Sequence, residues 1–306
     1  MNIAWFVPLN EPYFGRARNY DPAVRLRRLN THEQLLKFGI TSTLYSNYRT
    51  TPVDLTAMNA TIAVFSEQGE KEIEMIKTLK SKRVKIIRDH CENIFQIPYE
   101  DESFRLADKV VCCSTVLQKI TNQNGYFNTI VIKDPFEKKL VTIDYDRSNL
   151  SAVYIGNSGL WLNVASMLMP ILNLTGYKFI ALTENDTLGI RWEMNDWHDI
   201  ACSADVAIVP TDFRFPAKSN VKITTSMALG LPTIAGDLYS YREIISNGIN
   251  GFFCENLEQW HQALTILKDP KERRRIGEAG KLSAQLYNIE NITKQWMTLF
   301  RTLADS

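Results

Sequence analysis

Short runs of apolar residues recur along the chain, and this pattern limits the folds that the chain can adopt. In the first half the runs are NIAWFVP, TSTLYS, ATIAVFS, VKIIRDH, KVVCCS and TIVIKD, with helical stretches between them. Apolar runs without alternation are typical of strands covered on both faces, as in a parallel sheet. A second series, SAVYIGNSG, YKFIALT, ADVAIVP, LPTIAG and NGFFCEN, follows in the second half. The sequence therefore predicts two parallel sheets in an α/β protein.

The length of the chain agrees with two domains, because 306 residues exceed the usual size of one domain. The charged segment DPFEKKLVTIDYDRSNL separates the two series and is interpreted as a linker. We predict a doubly wound, Rossmann-like domain over residues 1–140 and a second one over residues 150–287. The tail from Pro270 to Ser306 carries no strand signal and predicts two helices. Two such domains would form a cleft at the carboxyl ends of their strands, where these folds bind ligands.

The composition excludes several classes of protein. Lys and Arg (35) nearly balance Asp and Glu (34), so the chain lacks the basic excess of a general nucleic-acid binder. The five cysteines show no metal-ligand spacing and are interpreted as core residues of a reduced, cytoplasmic protein. The apolar N-terminus is interpreted as a first strand, and no run reaches the roughly 20 apolar residues that span a bilayer. Peripheral contact with a membrane surface stays open.

The stretch KSNVKITTSMALGLPTIAG, which begins at Lys218, places unusual charge at the start of a predicted helix. Ser219 or Asn220 is a natural N-cap, and the free N–H groups and dipole of the helix favour an anion there. Lys218 and Lys222 add two positive charges where acidic residues are the stabilising ones. The pattern predicts a diphosphate site, and the alternative is a pair of solvated lysines.

Other candidate residues follow predicted strands. Asp89 and His90 end the run VKIIRDH, where Asp89 could accept a proton or orient His90. Gly156 and Asn157 follow AVYI, where a glycine lets the backbone approach a phosphate. Glu243 lies in SYRE, which matches a capping box. These residues also have a purely structural interpretation. His90 could be a histidine with its hydrogen bonds satisfied inside the protein, Gly156 a turn residue and Glu243 part of a helix cap.

The segment DVAIVP…KSNVKITTSMALGLPTIAG…YREIISNGINGFF resembles the carboxyl-terminal domain of group 1 glycosyltransferases of the GT-B fold. VYIGNSG and ADKVVCCSTVLQKI resemble two further segments of these enzymes, which transfer sugar from a nucleotide diphosphate donor. The resemblance implies two Rossmann-like domains facing across a cleft, a last helix within 288–306 that returns to the first domain, and a cleft histidine at His90. The donor-binding residues it implies, together with the sequence pattern, are Gly156, Asn157, Lys218, Ser219, Asn220, Lys222, Thr225 and Glu243.

The sequence departs from the family pattern in two places. Many members carry a pair of glutamates where this chain has Ala217 and Thr225. The Arg and Lys that often follow the first glycine loop are also absent. We expect Lys218 and Lys222 to supply the missing charge, without a metal or other cofactor.

The leading hypothesis is a hexosyltransferase with a nucleotide sugar donor and a carbohydrate or lipid-linked acceptor, as in surface polysaccharide synthesis. Asp89 and His90 are its predicted catalytic residues. Arg25 and Arg28, on one predicted helical face, are interpreted as solvated or as a contact for a phosphorylated lipid acceptor or an anionic membrane. Two alternatives stay open: a catalytically silent homologue that binds a nucleotide sugar or a partner, and a nucleotide-sugar epimerase, which needs no acceptor.

Overall fold

The structure is a computed structural model in which the chain forms two compact units. Unit 1 comprises Met1–Pro135, Ala217–Ser219 and Ile289–Ser306, and unit 2 comprises Phe136–Pro216 and Asn220–Asn288. The residues that the structure describes are 1–7, 23–66, 69–91, 98–137, 143–156, 158–183, 190–191, 196–211 and 217–306.

Helices connect the strands of both units and are numbered in chain order. They are α1 (Asn30–Lys37), α2 (Glu70–Ser81), α3 (Pro98–Leu106), α4 (Thr115–Gln123), α5 (Ser158–Thr175), α6 (Trp197–Cys202), α7 (Val221–Ala228), α8 (Tyr239–Arg242), α9 (Leu257–Ile266), α10 (Pro270–Ala284) and α11 (Ile289–Ala304). A π-helical segment, Ala23–Leu29, leads directly into α1. The predicted pair of helices after Pro270 is confirmed by α10 and α11.

The sheet of unit 1 is parallel throughout. Its strands are β1 (Asn2–Phe6), β2 (Thr41–Tyr45), β3 (Ile62–Phe65), β4 (Lys85–His90), β5 (Lys109–Cys112) and β6 (Thr129–Val131). Their order in the sheet is β2-β1-β3-β4-β5-β6. All four side chains of β3 are buried, as expected for a strand covered on both faces.

The C-terminal helix α11 packs against unit 1, although most of the sequence before it belongs to unit 2. The Trp296 ring lies 5.3 Å from the Trp5 ring of β1, and the Phe300 ring lies 6.2 Å from it. All three side chains are fully buried. Burial of large aromatic side chains is the main stabilising contribution of such a contact, so α11 is an integral part of unit 1.

The sheet of unit 2 is also parallel. Its strands are β7 (Ser151–Ile155), β8 (Lys178–Thr183), β9 (Ile190–Arg191), β10 (Val206–Val209), β11 (Thr233–Gly236) and β12 (Phe252–Cys254). The order β12-β11-β10-β7-β8-β9 reverses direction between β7 and β10. In doubly wound sheets, ligands bind beyond the carboxyl ends of the strands at this reversal. The predicted fold of two parallel α/β sheets is confirmed.

In each sheet, one aspartate joins two neighbouring strands near their amino ends, at the edge that we call the amino edge. In unit 1 the Asp108 backbone N–H donates to the Ile86 carbonyl at 2.8 Å, and the Ile86 N–H donates to the Asp108 carboxylate at 2.7 Å. In unit 2 the Asp205 N–H donates to the Ser151 carbonyl at 3.0 Å, and the Ser151 N–H donates to the Asp205 carboxylate at 2.7 Å. Each aspartate therefore pairs the starts of two neighbouring strands.

The segment interpreted as a linker begins in unit 1 with Asp134 and Pro135 and continues in unit 2. Tyr145 is 4% exposed, and its hydroxyl donates to the Gly230 carbonyl at 2.8 Å. The buried Arg273 donates from Nη2 to the Tyr145 carbonyl and, at 3.0 Å, to that of Arg147. The segment therefore runs from one unit to the other, and one aromatic residue and one buried guanidinium anchor its described part in unit 2.

Two further expectations concern the cysteines and the membrane. All five cysteines are free thiols, and all except the half-buried Cys91 are buried, as expected of core residues. Across the described ranges, none of the helices has both the length and the apolar character required to cross a bilayer.

Candidate functional site

The reversal of strand order in unit 2 brings together two predicted donor residues. Gly156 directly follows β7, and Lys222 lies in the first turn of α7, the helix that follows β10 in the chain. The strands β7 and β10 are hydrogen-bonded neighbours, with Ala207 opposite Val153. Residues that are far apart in the sequence therefore meet at the position in unit 2 where a doubly wound sheet binds its ligand.

The Lys222 ammonium lies directly against Gly156. A Cβ added to Gly156 would come within 2.4 Å of Lys222 Nζ and within 2.7 Å of the Tyr154 hydroxyl oxygen. Only glycine leaves this space open. The ammonium also lies 5.4 Å from the centroid of the buried Tyr154 ring, within the range of a cation–π attraction. The ring and the glycine together place a positive charge at the end of β7.

The start of α7 differs from the predicted cap. Asn220 is the N-cap residue, but its side chain makes no capping bond and donates instead to Thr224 Oγ1 at 3.1 Å. The Ser219 hydroxyl donates to the Asp134 carboxylate in unit 1. The side chain of the N-cap residue Asn220 therefore does not cap the helix. The first turn of α7 contains no acidic residue and carries Lys222, so the positive end of the dipole is reinforced by a full charge.

The other two donor residues predicted in unit 2 are Thr225 and Glu243, and the structure shows where each lies in the fold. Thr225 is 5% exposed, and its hydroxyl oxygen lies 3.5 Å from the Glu137 backbone nitrogen. Glu243 follows α8, a helix that begins at Tyr239 after the N-cap Leu238. The prediction of a capping box at Glu243 is wrong, because the glutamate lies at the end of this short helix and not in its first turn.

Lys218 is exposed and belongs to unit 1 together with its two neighbours. Ala217, which stands at the place of one family glutamate, is buried in the hydrophobic core of unit 1. Asn157, predicted to contact the donor, lies outside the described residues. The predicted donor residues are thus divided between two units in the described structure.

Asp89, at the end of β4, is fully buried between two arginines. Arg27 Nε donates to Asp89 Oδ1 at 2.6 Å, and Arg28 Nε donates to Oδ2 at 3.1 Å. Burial raises the pKa of Asp89, but the charges and hydrogen bonds of Arg27 and Arg28 outweigh it and hold the pKa below its ordinary value. A carboxylate in these surroundings is a poor proton acceptor near neutral pH.

His90 lies beside a second buried ion pair. Its Nδ1 is 3.4 Å from Glu100 Oε1, and Glu100 accepts from Arg88 Nη2 at 3.1 Å. The Phe104 ring packs edge-on against the imidazole, with centroids 4.9 Å apart. Burial lowers the pKa of His90 below its ordinary value, although Glu100 opposes this effect. His90 is therefore neutral near pH 7.

Arg25 and Arg28 differ from the sequence interpretation. They are 5% and 4% exposed, so the interpretation as a solvated face or as a surface for lipid phosphates is wrong for these two side chains. The reason is that the π-helical segment packs into unit 1 and Arg28 pairs with Asp89. Two residues, Tyr154 and Asp134, were not predicted from the sequence. Tyr154 could have been identified from its position, because it and Gly156 occupy alternate positions at the end of a strand.

Comparison with solved structures defines the class of fold. Sucrose-phosphate synthase from Thermosynechococcus elongatus matches over 100% of both chains with a TM-score of 0.71 and 14% identity. HepE from Anabaena in complex with UDP-glucose matches over 99% of this chain and 100% of its own, with a TM-score of 0.69 and 15% identity. A variant of S. aureus TarM in complex with fondaparinux, alpha-GlcNAc-glycerol and UDP has a TM-score of 0.60 and 13% identity, over 81% of this chain and 57% of its own. The fold is GT-B.

A family model matches part of the chain. Residues 188–283 match the model for glycosyl transferases group 1, and the matched region contains Lys218, Lys222 and Glu243. A comparison with curated protein sequences gave no significant match. The GT-B fold and the match over residues 188–283 agree with the resemblance predicted from the sequence, and this part of the chain is similar to group 1 glycosyltransferases.

Proposed function

We propose that the protein transfers a hexose-type sugar from a nucleotide diphosphate sugar to a carbohydrate or lipid-linked acceptor. The observation that carries this proposal is the Lys222 ammonium lying against Gly156 at the strand reversal of unit 2. When the bond between sugar and diphosphate breaks, negative charge develops on the leaving phosphate oxygen. A cation already held at that position stabilises the charge without reorganisation.

The dipole of α7 acts against the charge of Lys222 in the empty protein. A cation in the first turn of α7 faces the positive end of the helix dipole, which costs roughly 0.3 to 1 kcal/mol. A bound diphosphate would reverse the sign of this interaction, because both the dipole and the ammonium attract an anion. The same residue is therefore expected to weaken the fold slightly and to strengthen donor binding.

The remaining donor contacts are proposed from the sequence pattern together with the family. Lys218 and the backbone N–H groups near Ser219 and Asn220 are proposed to bind the diphosphate, with Thr225 and Glu243 toward the rest of the donor. Because the related HepE and TarM structures contain UDP-glucose and UDP, we infer that UDP-linked sugars are the first donors to test.

The nucleophile in this proposal is a hydroxyl of the acceptor. His90 is proposed to lie near the transferred sugar, as the family histidine does. Asp89 is proposed to support the end of β4 through Arg27 and Arg28, since its lowered pKa disfavours proton uptake. The lysines supply the charge for the leaving group, so we propose that no metal is required and expect activity to persist in EDTA.

A lipid-linked acceptor would bring the cytoplasmic protein to the inner face of the membrane, as expected for surface polysaccharide synthesis. The buried Arg25 and Arg28 are not the contact, so binding would depend on other surfaces. Flotation with anionic phosphatidylglycerol vesicles and with neutral phosphatidylcholine vesicles tests this part. Binding to neither would restrict the acceptor to water-soluble carbohydrates.

Thermal unfolding with a panel of nucleotide sugars, beginning with UDP-glucose, tests the proposal. A donor at 100 times its Kd adds about 2.7 kcal/mol of stability, which is readily detected. Release of UDP only when an acceptor is present supports sugar transfer. Binding without turnover supports the silent homologue, and a changed sugar without any acceptor supports the epimerase.

A further inference from the structure

The three residues Ala217–Ser219, which precede the N-cap of α7, belong to unit 1. Ala217 is 6% exposed and belongs to the hydrophobic core cluster of that unit. Ser219 donates its hydroxyl proton to Asp134 Oδ2. Lys218 lies between these two residues and is exposed. The backbone of Lys218 is therefore anchored on both sides, once by apolar packing and once by a hydrogen bond to a carboxylate.

The carboxylate that binds Ser219 is itself fixed. Asp134 is 2% exposed, and its Oδ1 accepts a hydrogen bond from Arg27 Nη1 at 2.6 Å. Arg27 Nη1 also donates to the Ile132 carbonyl at 2.6 Å, and Arg27 Nε donates to Asp89 at 2.6 Å. The Trp296 ring of α11 lies 5.5 Å from the guanidinium. Ser219, Asp134, Arg27 and Asp89 thus form one continuous chain of contacts, which we name the Asp134 chain.

The Asp134 chain restrains the Ser219 hydroxyl for an electrostatic reason. Both oxygens of a buried carboxylate need donors, because an unsatisfied ionised oxygen is costly in a medium of low polarity. Arg27 satisfies one oxygen and Ser219 the other. Hydrogen bonds to a charged acceptor are stronger than neutral ones, so the position of Ser219 is well defined. Fixing Ser219 also fixes the peptide bond that joins it to Lys218.

We propose that Ser219 and Asp134 are positioning residues for Lys218 in its binding of the donor diphosphate. This proposal rests on the proposed function. Neither side chain contacts the donor; both act by reducing the number of backbone conformations that Lys218 samples before the donor binds. Preorganisation of this kind increases affinity because less conformational entropy is lost on binding.

Calorimetry with UDP and with uridine tests the proposal on the full chain and on Ser219→Ala, which keeps the backbone N–H. We expect UDP affinity to fall about fivefold to tenfold, as for the loss of one hydrogen bond that holds a binding residue in place. Uridine affinity should be unchanged, because uridine lacks the diphosphate. Ser219→Thr keeps a hydroxyl and should restore UDP binding. Ser81→Ala, an exposed serine of α2, is the matched control and should bind as the parent does.

The double variant Lys218→Ala with Ser219→Ala separates positioning from direct contact. If Ser219 acts through Lys218, the second change adds nothing to the loss caused by Lys218→Ala. Additive losses, or unchanged UDP affinity in Ser219→Ala while Lys218→Ala is weakened, would overturn the positioning role alone. Each nucleotide sugar of the panel has a corresponding nucleoside diphosphate. If the parent protein binds none of these nucleoside diphosphates, the proposed function fails, and this inference fails with it.

Discussion

The two units are built alike at one edge of their sheets and differ at the other. At the amino edges, Asp108 and Asp205 each join two neighbouring strands through the same pair of backbone contacts. At the carboxyl edge of unit 1, buried charges of opposite sign pair with each other, as Asp89 does with Arg27. At the carboxyl edge of unit 2, Lys222 contacts an aromatic ring and a glycine.

This difference separates charges that hold the fold from a charge that can serve a ligand. A buried ion pair is satisfied within the protein, and removing one member leaves the other in a medium of low polarity. A lysine held by a ring and placed against a helix dipole gains most when an anion arrives. We therefore expect substitutions at the carboxyl edge of unit 1 to reduce stability. Substitutions at the carboxyl edge of unit 2 should reduce donor affinity.

The largest expected effect is on the stability of unit 1. Asp89→Ala removes the carboxylate between Arg27 and Arg28, and breaking a buried pair costs about 3 to 5 kcal/mol. Urea unfolding followed by Trp fluorescence measures the loss. The exposed pair of Asp146 and Arg274 offers a matched control, and Asp146→Ala should leave the unfolding curve unchanged. If Asp89→Ala and Asp146→Ala both reduced stability by the same small amount, the expectation for the carboxyl edge of unit 1 would be wrong.

The next effect concerns the space at Gly156. In Gly156→Ala the new Cβ competes with the Lys222 ammonium, so the lysine must move away from the end of β7. We expect UDP affinity to fall by about tenfold to a hundredfold, as for loss of a charge-assisted contact to phosphate. Adding Gly156→Ala to Lys222→Ala should cost little more. A full additional loss in the double variant would show that Gly156 serves the ligand by another route.

A smaller effect is the dependence of stability on pH. Burial lowers the pKa of His90 and of His32, so the unfolded chain takes up protons before the folded one as the pH falls. Their contribution is present above the unfolded value of about 6.5 and is lost below it, by at most about 1.4 kcal/mol per pH unit for each proton. The pKa of Asp89 is also lowered, which adds a loss below about pH 4.

Thermal unfolding between pH 7.5 and pH 5 measures this dependence. The melting temperature should fall across the range, and His90→Gln should show a shallower fall than the parent protein. A melting temperature that rises on acidification would contradict the burial of neutral His90 and His32.

The fold was largely predictable because strands of a parallel sheet are buried on both faces and leave continuous apolar runs in the sequence. The two-residue strand β9 was not predicted, since Ile190–Arg191 is too short to produce a pattern. Helix α7 was predicted from its charge and its glycine stop. Its contact with Gly156 depends on β7 lying beside β10, and strand order is not encoded in local periodicity.

The charges of unit 1 were predicted less well, because a charged residue in a sequence is usually solvated. Arg27 and Asp89 are 62 positions apart, and Ser219 and Asp134 are 85 apart, so neither pair leaves a local signal. The capping box at Glu243 failed for a local reason. Its pattern is short, and the helix begins two residues earlier than the pattern requires.

Calorimetry on Lys222→Ala tests most directly the central claim that the carboxyl edge of unit 2 binds the donor diphosphate. We predict that UDP affinity falls by about tenfold to a hundredfold, that uridine affinity is unchanged, and that the unfolding free energy is unchanged or slightly higher. Lys294→Ala, which removes an exposed lysine of α11, is the control and should bind UDP as the parent does. Unchanged UDP affinity in Lys222→Ala would contradict the claim and place the donor elsewhere in the molecule.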